Sequence, residues 1–152
     1  AYALYGAKIE AAPEKIFPLV AERVLAGKSL SAHEANARNA EIAELRRKFL
    51  TQIAPFDAML MPTVAISPPP IAAIAADAET YRQANAGALA LPSLANRLGL
   101  CAITLPAGTC AGDPPLPFGL SILAAPFGER QLLQIAAVLE RILRQLGDMS
   151  RA

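Results

Sequence analysis

Two short apolar runs, each halted by a proline, constrain this chain most: Ala58-Met59-Leu60-Met61 stops at Pro62-Thr63, and Cys101-Ala102-Ile103-Thr104-Leu105 stops at Pro106-Ala107-Gly108. So short a run without alternation reads as a strand covered on both faces, as in a parallel or mixed sheet flanked by helices. A third segment, Pro117 to Leu123, sets Phe118, Leu120 and Ile122 against Gly119, Ser121 and Leu123. The turn-rich Gly112-Asp113-Pro114-Pro115 links it to the second run, so these two strands read as a hairpin.

Helical signals surround the strands. Residues 2–12 have a helical composition that Pro13 and Pro18 interrupt, with Pro18 near the start of a second helix running to about Ala26 and capped by Gly27. Ser31 followed by Glu34 is the capping-box pattern, and it opens a long helix over 32–53. Ala35, Ile42, Leu45, Phe49 and Ile53 recur on one face of that helix, which should lie on a core. Residues 66–78 hold Pro68, Pro69 and Pro70 and are expected to be an extended surface connection, because proline supplies no ladder donor. Residues 81–98 read as a helix broken before Pro92, and 127–146 as a closing helix that buries Leu132, Leu133, Ile135, Ala136, Leu139 and Leu143.

This order belongs to the α/β class, with residues 1–54 mainly helical and 55–146 carrying the strands of a mixed sheet and its covering helices. Two or three strands make a poor sheet and leave edges that invite another chain. Further strands are therefore expected on an N-terminal segment outside these residues. Hydrophobic residues make up 54% of the 152, an excess that points to burial on more sides than a small free-standing domain has.

Several function classes drop out on composition. No stretch reaches the roughly 18 to 20 uninterrupted apolar residues of a membrane-spanning helix, so no membrane partner is expected. Net charge is +1, and Lys and Arg alternate with Glu and Asp along helices, which provides no continuous basic field for nucleic acid. The opening Ala-Tyr-Ala-Leu-Tyr has neither a basic n-region nor a long apolar run, so a cytoplasmic address is expected. Cys101 and Cys110 have no second pair and no nearby His, and read as incidental thiols rather than metal ligands. No metal and no cofactor is expected.

A self-contained catalytic centre is hard to assemble. His33, the single histidine, falls in the first turn of the long helix beside Glu34 and reads as a solvated side chain. No serine stands in a Gly-x-Ser-x-Gly elbow, and Lys8, Lys15, Lys28 and Lys48 read as surface charges. Asp77 with Glu79, and Glu41 with Glu44, are explained as solvated charges and helical ion pairs. The glycines form no phosphate-cradling fingerprint.

Three local patterns in a fixed order carry a resemblance. Phe56-Asp57-Ala58-Met59-Leu60-Met61-Pro62-Thr63 resembles a strand end of amidase-signature proteins, and Asn96 to Gly108 is similar to their segment in which a glycine precedes a strand closed by proline and glycine. Leu116-Pro117-Phe118-Gly119-Leu120-Ser121-Ile122-Leu123, followed by Phe127-Gly128-Glu129-Arg130-Gln131-Leu132-Leu133, is similar to their last strand and closing helix. The resemblance covers about 29–143. Cys101 stands where proline is commoner in the family, Ser121 where glutamine is, and Ala124-Ala125 where a glycine usually falls.

What the resemblance implies is the C-terminal part of an amidohydrolase acting on a small-molecule carboxylic amide through a Ser/cis-Ser/Lys triad. The family carries that triad in its N-terminal half, which no residue here matches, so no catalytic residue is assigned to this chain and the segment alone should be inactive. The implied partner is the missing N-terminal catalytic portion, and the residues leave open whether a second copy joins it in a homodimer. In such proteins the loop after the first strand and the helix before the second commonly line the acyl or leaving-group side, which here means Pro62, Thr63, Leu89, Pro92 and Ser93. Pro62-Thr63 ends a strand at a crevice edge, while Leu89, Pro92 and Ser93 offer apolar and hydroxyl surface on a broken helix, which suits a mostly apolar site. The competing reading is a degenerate, non-catalytic amidase-like module that binds or interacts.

Overall fold

The computed structural model describes residues 1–112 and 114–149, and for 147–149 the backbone alone. Seven α-helices and three strands follow one another as α1 (Tyr2–Ala11), α2 (Pro18–Leu25), α3 (Ala32–Ile53), β1 (Met59–Pro62), α4 (Ile71–Ala76), α5 (Ala78–Ala90), α6 (Pro92–Leu98), β2 (Cys101–Cys110), β3 (Leu116–Ala124) and α7 (Glu129–Met149). The α/β class and the helix-covered sheet hold. Within the described residues, though, the pairing is antiparallel throughout rather than mixed, in the order β1-β3-β2. Among these residues the outer edges of β1 and β2 have no further strand.

Register follows burial. Ile122 pairs with Leu60 on one side and Ile103 on the other, while Ser121 pairs with Met61 and Thr104. Because successive side chains alternate across a sheet, this register sorts the strands into two unlike faces. On one, Ile122, Ala124 and Leu105 pack with Leu132 and Ala136 of α7, and Ile103, Cys101, Ile135, Leu139 and Leu143 gather around them. The other carries Thr104, Gly119 and Ser121.

The helix signals are realised locally. In the capping box the Ser31 hydroxyl accepts from the Glu34 N–H at 3.2 Å, and the Glu34 carboxylate accepts from the Ser31 N–H at 2.9 Å. Asp77 caps α5 by accepting from the Thr80 N–H at 2.7 Å. Pro92 takes the first position of α6, where its missing N–H costs nothing. Gly99 ends that helix at φ 60°, a left-handed conformation that glycine adopts freely, and lets the Leu100 N–H reach the Ala95 carbonyl at 2.9 Å.

Five expectations are corrected. Leu133 of α7, expected to be buried, is exposed, while its neighbour Leu132 faces the core. Residues 71–76 are helical rather than extended: Pro70 presets the backbone at the N-cap, and the alanine-rich run that follows has high helix propensity. Gly27 is no left-handed cap, since α2 ends at Leu25 and runs into a 3₁₀ turn over Ala26–Ser29; a Cβ on Gly27 would lie 2.9 Å from that of Tyr2, so close approach explains the residue. Strand β2 continues past Pro106 to Cys110, because β2 is an edge among the described residues and a bulge between Pro106 and Gly108 absorbs the irregularity. Finally, α3 buries no residue: Leu45 is exposed, and of the described elements α6 is its main neighbour.

Candidate functional site

At one end of the sheet the chain walls off a cavity of about 710 Å³. Its floor is the end of β1 with Thr63, together with Thr104 and Gly119 from the other strands. One wall is the proline-rich loop from Val64 to Pro69, and a second is α5, which contributes Tyr81, Ala84, Asn85 and Ala88 at helical three- and four-residue steps. The far end of the hairpin, with Cys110, Leu116 and Phe118, supplies the third. Gly87 allows α5 to approach the loop, since a Cβ there would meet the Ile66 methyl at 2.7 Å.

The two hydroxyls of the floor, those of Thr63 and Thr104, meet a third, that of Ser121 on β3, behind them. Thr63 Oγ1 lies 2.8 Å from Ser121 Oγ, Ser121 Oγ lies 3.0 Å from Thr104 Oγ1, and Thr63 Oγ1 reaches Thr104 Oγ1 at 3.4 Å. The Thr63 N–H donates to the Gly119 carbonyl at 2.9 Å, which extends the β1–β3 pairing one residue past Pro62 and sets the Thr63 side chain over β3. Gly119 leaves that side chain room. A Cβ at 119 would stand 2.7 Å from Thr63 Oγ1 and 2.9 Å from the Thr104 methyl. Ser121 is 6% exposed, while Thr63 and Thr104 face the cavity, so the group joins the buried sheet to the open space.

Around this floor the described lining is uncharged, and its other polar side chains are those of Ser67, Tyr81, Asn85 and Cys110. The titratable groups whose pKa values move lie elsewhere. Arg82 donates to Glu22 at 2.9 Å and holds that carboxyl below its usual range, while Lys28, donating at 2.8 Å, does the same for Glu10. Among the described residues no cluster of His, Cys, Asp and Glu has the makings of a metal site.

Of the residues singled out in the sequence, Pro62 and Thr63 line the cavity. Leu89, Pro92 and Ser93 are not among its lining: Leu89 is 43% exposed, Pro92 starts α6, and the Ser93 hydroxyl donates to the Ala90 carbonyl at 3.0 Å. Thr104 and Gly119 were missed as site residues, because strand pairing alone brings them beside Thr63. The departure of Ser121 from glutamine was the one signal in the sequence that pointed toward this group.

Comparison with known proteins agrees with the patterns seen in the strands. The Amidase family model matches residues 9–133. A 2-amino-5-chloromuconic acid deaminase of Comamonas testosteroni is 33% identical over 132 residues, which are 87% of this chain and 28% of that protein. A solved structure described as a crystal structure of amidase superposes with a TM-score of 0.72 at 25% identity, covering 93% of this chain and 32% of its own. The chain thus spans less than a third of the length of these relatives.

Proposed function

The chain belongs to the amidase family, and from that premise we propose that it forms the substrate-pocket and scaffold part of an enzyme that hydrolyses linear carboxylic amides. The observation that carries the reading is the uncharged cavity at the sheet end, whose size falls within the roughly 300–1,000 Å³ of small-molecule sites. Its floor offers hydroxyls that can donate or accept, and its walls offer apolar surface to an acyl chain.

In this proposal the nucleophile and base, a Ser/cis-Ser/Lys triad, come from the remainder of the fold. A triad needs its members within hydrogen-bond reach of one another, and no described lysine donates to a serine here. Pro62 and Thr63 bound the substrate from the strand end, and Leu89, Pro92 and Ser93 bound it where the remainder of the fold meets α5 and α6. The Comamonas testosteroni relative is named for deaminating 2-amino-5-chloromuconic acid, so amino-substituted acids belong in the substrate panel beside simple amides.

The test is ammonia release from a panel of amides by the full-length protein and by the 152-residue chain alone. Activity in the first and none in the second is expected. Turnover by the isolated chain, lost on mutating one of its own serines, would defeat the proposal. Substrate preference in the full-length protein should shift in Leu89→Ala and Leu89→Phe; equal loss of stability in both with unchanged preference removes Leu89 from the pocket. The alternative, a non-catalytic binding module, predicts an intact mass of 15.9 kDa with no companion chain and no turnover.

A further inference from the structure

We propose that the hydroxyls of Thr63, Thr104 and Ser121 form a recognition site for an uncharged hydrogen-bonding group at the distal end of the substrate. This rests on the reading of the cavity as a substrate pocket and specifies what it selects. Three hydroxyls hold three donors and six acceptor lone pairs. Closed on itself, the triangle uses three of each and presents lone pairs to the cavity; turning one O–H outward presents a donor instead. The group can therefore serve a ligand donor or a ligand acceptor without leaving a buried polar atom unpaired.

The geometry fixes where the ligand end must lie. Ser121 is buried behind the other two, so contact is made through Thr63 and Thr104, which share the cavity floor with Gly119. A Cβ at 119 would crowd the Thr63 hydroxyl and the Thr104 methyl, and its absence leaves both side chains room at the cavity floor. The described lining provides no counter-charge, and an ion moved into such a place loses hydration that neutral hydroxyls do not replace. A terminal hydroxyl or carboxamide fits, and a terminal carboxylate does not.

Three probes of one length separate these cases in the full-length protein: hexanamide, 6-hydroxyhexanamide and adipamate. Dissociation constants are read by ligand-observed NMR, and kcat/KM by ammonia release. The parent should bind 6-hydroxyhexanamide more tightly than hexanamide, and adipamate more weakly than either. Thr104→Val should lower the hydroxyl preference about tenfold, the worth of one hydrogen bond between neutral groups, and Thr104→Ser should restore it. If Thr104→Val does not fold, Thr63→Val is read in the same way. An unchanged preference in the folded variant, equal weakening of all three probes, or adipamate binding as tightly as 6-hydroxyhexanamide overturns the proposal. A parent that binds with this preference but hydrolyses none of the probes keeps the recognition site and sinks the amidase reading. Hydrolysis without any preference does the reverse.

Discussion

Thr63 and Ser121, 58 residues apart in sequence, bring their hydroxyl oxygens to 2.8 Å across the β1–β3 pairing. The contact exists because the Thr63 N–H is already tied to the Gly119 carbonyl, which aims the side chain along β3 toward Ser121. It also demands that position 119 have no side chain.

Gly119→Ala should therefore disturb both strands at once. The added methyl has Thr63 Oγ1 at 2.7 Å and the Thr104 methyl at 2.9 Å, and overpacking of this kind costs about 1–3 kcal/mol. Thermal melts of Gly119→Ala, Thr63→Ala and the double variant measure it. The double variant should be more stable than the sum of the single effects predicts, by about 0.5 kcal/mol or more; simple additivity would show that the methyl is accommodated elsewhere.

Ile122 is fully buried at the centre of the sheet, in the cluster with Leu105, Ala124, Leu132 and Ala136. Ile122→Ala should cost about 2–5 kcal/mol and Ile122→Val about 0.5–1.5 kcal/mol. Urea unfolding reports both, and equal losses would mean that the site collapses around either side chain.

Gly99 should tolerate no ordinary side chain. At φ 60° a Cβ has space, with the Arg46 guanidinium 3.6 Å away, so the penalty of Gly99→Ala is conformational, about 1–2 kcal/mol. Gly99→Asn should lose less, since asparagine visits the left-handed region more readily. Unfolding midpoints in the order Gly, Asn, Ala check this, and Ala equal to Gly would refute it.

The Glu22–Arg82 bridge ties α2 to α5 beside the edge-to-face contact of Phe17 with Tyr81, whose ring centroids are 5.3 Å apart. The hydrogen bond from Arg82, and then its charge, hold the Glu22 carboxyl below its usual range. A carboxyl depressed in the folded state adds stability above its unfolded pKa and loses it as pH falls through the folded pKa. Parent and Glu22→Gln should thus differ in melting temperature at pH 7 and converge in acid below the ordinary carboxylate range. The difference should be small, because both groups are solvated, and smaller still in high salt. A gap that widens on acidification contradicts the assignment.

The sequence by itself determined the features whose energies act within about four residues. The Ser31–Glu34 box, the break at Pro92 and the stop at Gly99 are of this kind, since caps are made between near neighbours. The two proline-ended runs likewise marked strands, and alternation along 117–123 marked the third. Local rules failed where the tertiary setting outweighed them: Pro106 remains inside β2 because β2 is an edge among the described residues, and the apolar face of α3 finds little among them to cover it. Tertiary structure alone decided the site. Thr63, Thr104 and Ser121 are separated by 41, 17 and 58 residues, and no local preference relates them. What unites them is the order β1-β3-β2, set by burying Ile122 against α7; that burial turns Ser121 and its neighbours to the opposite face, where Gly119 leaves room for their hydroxyls to meet.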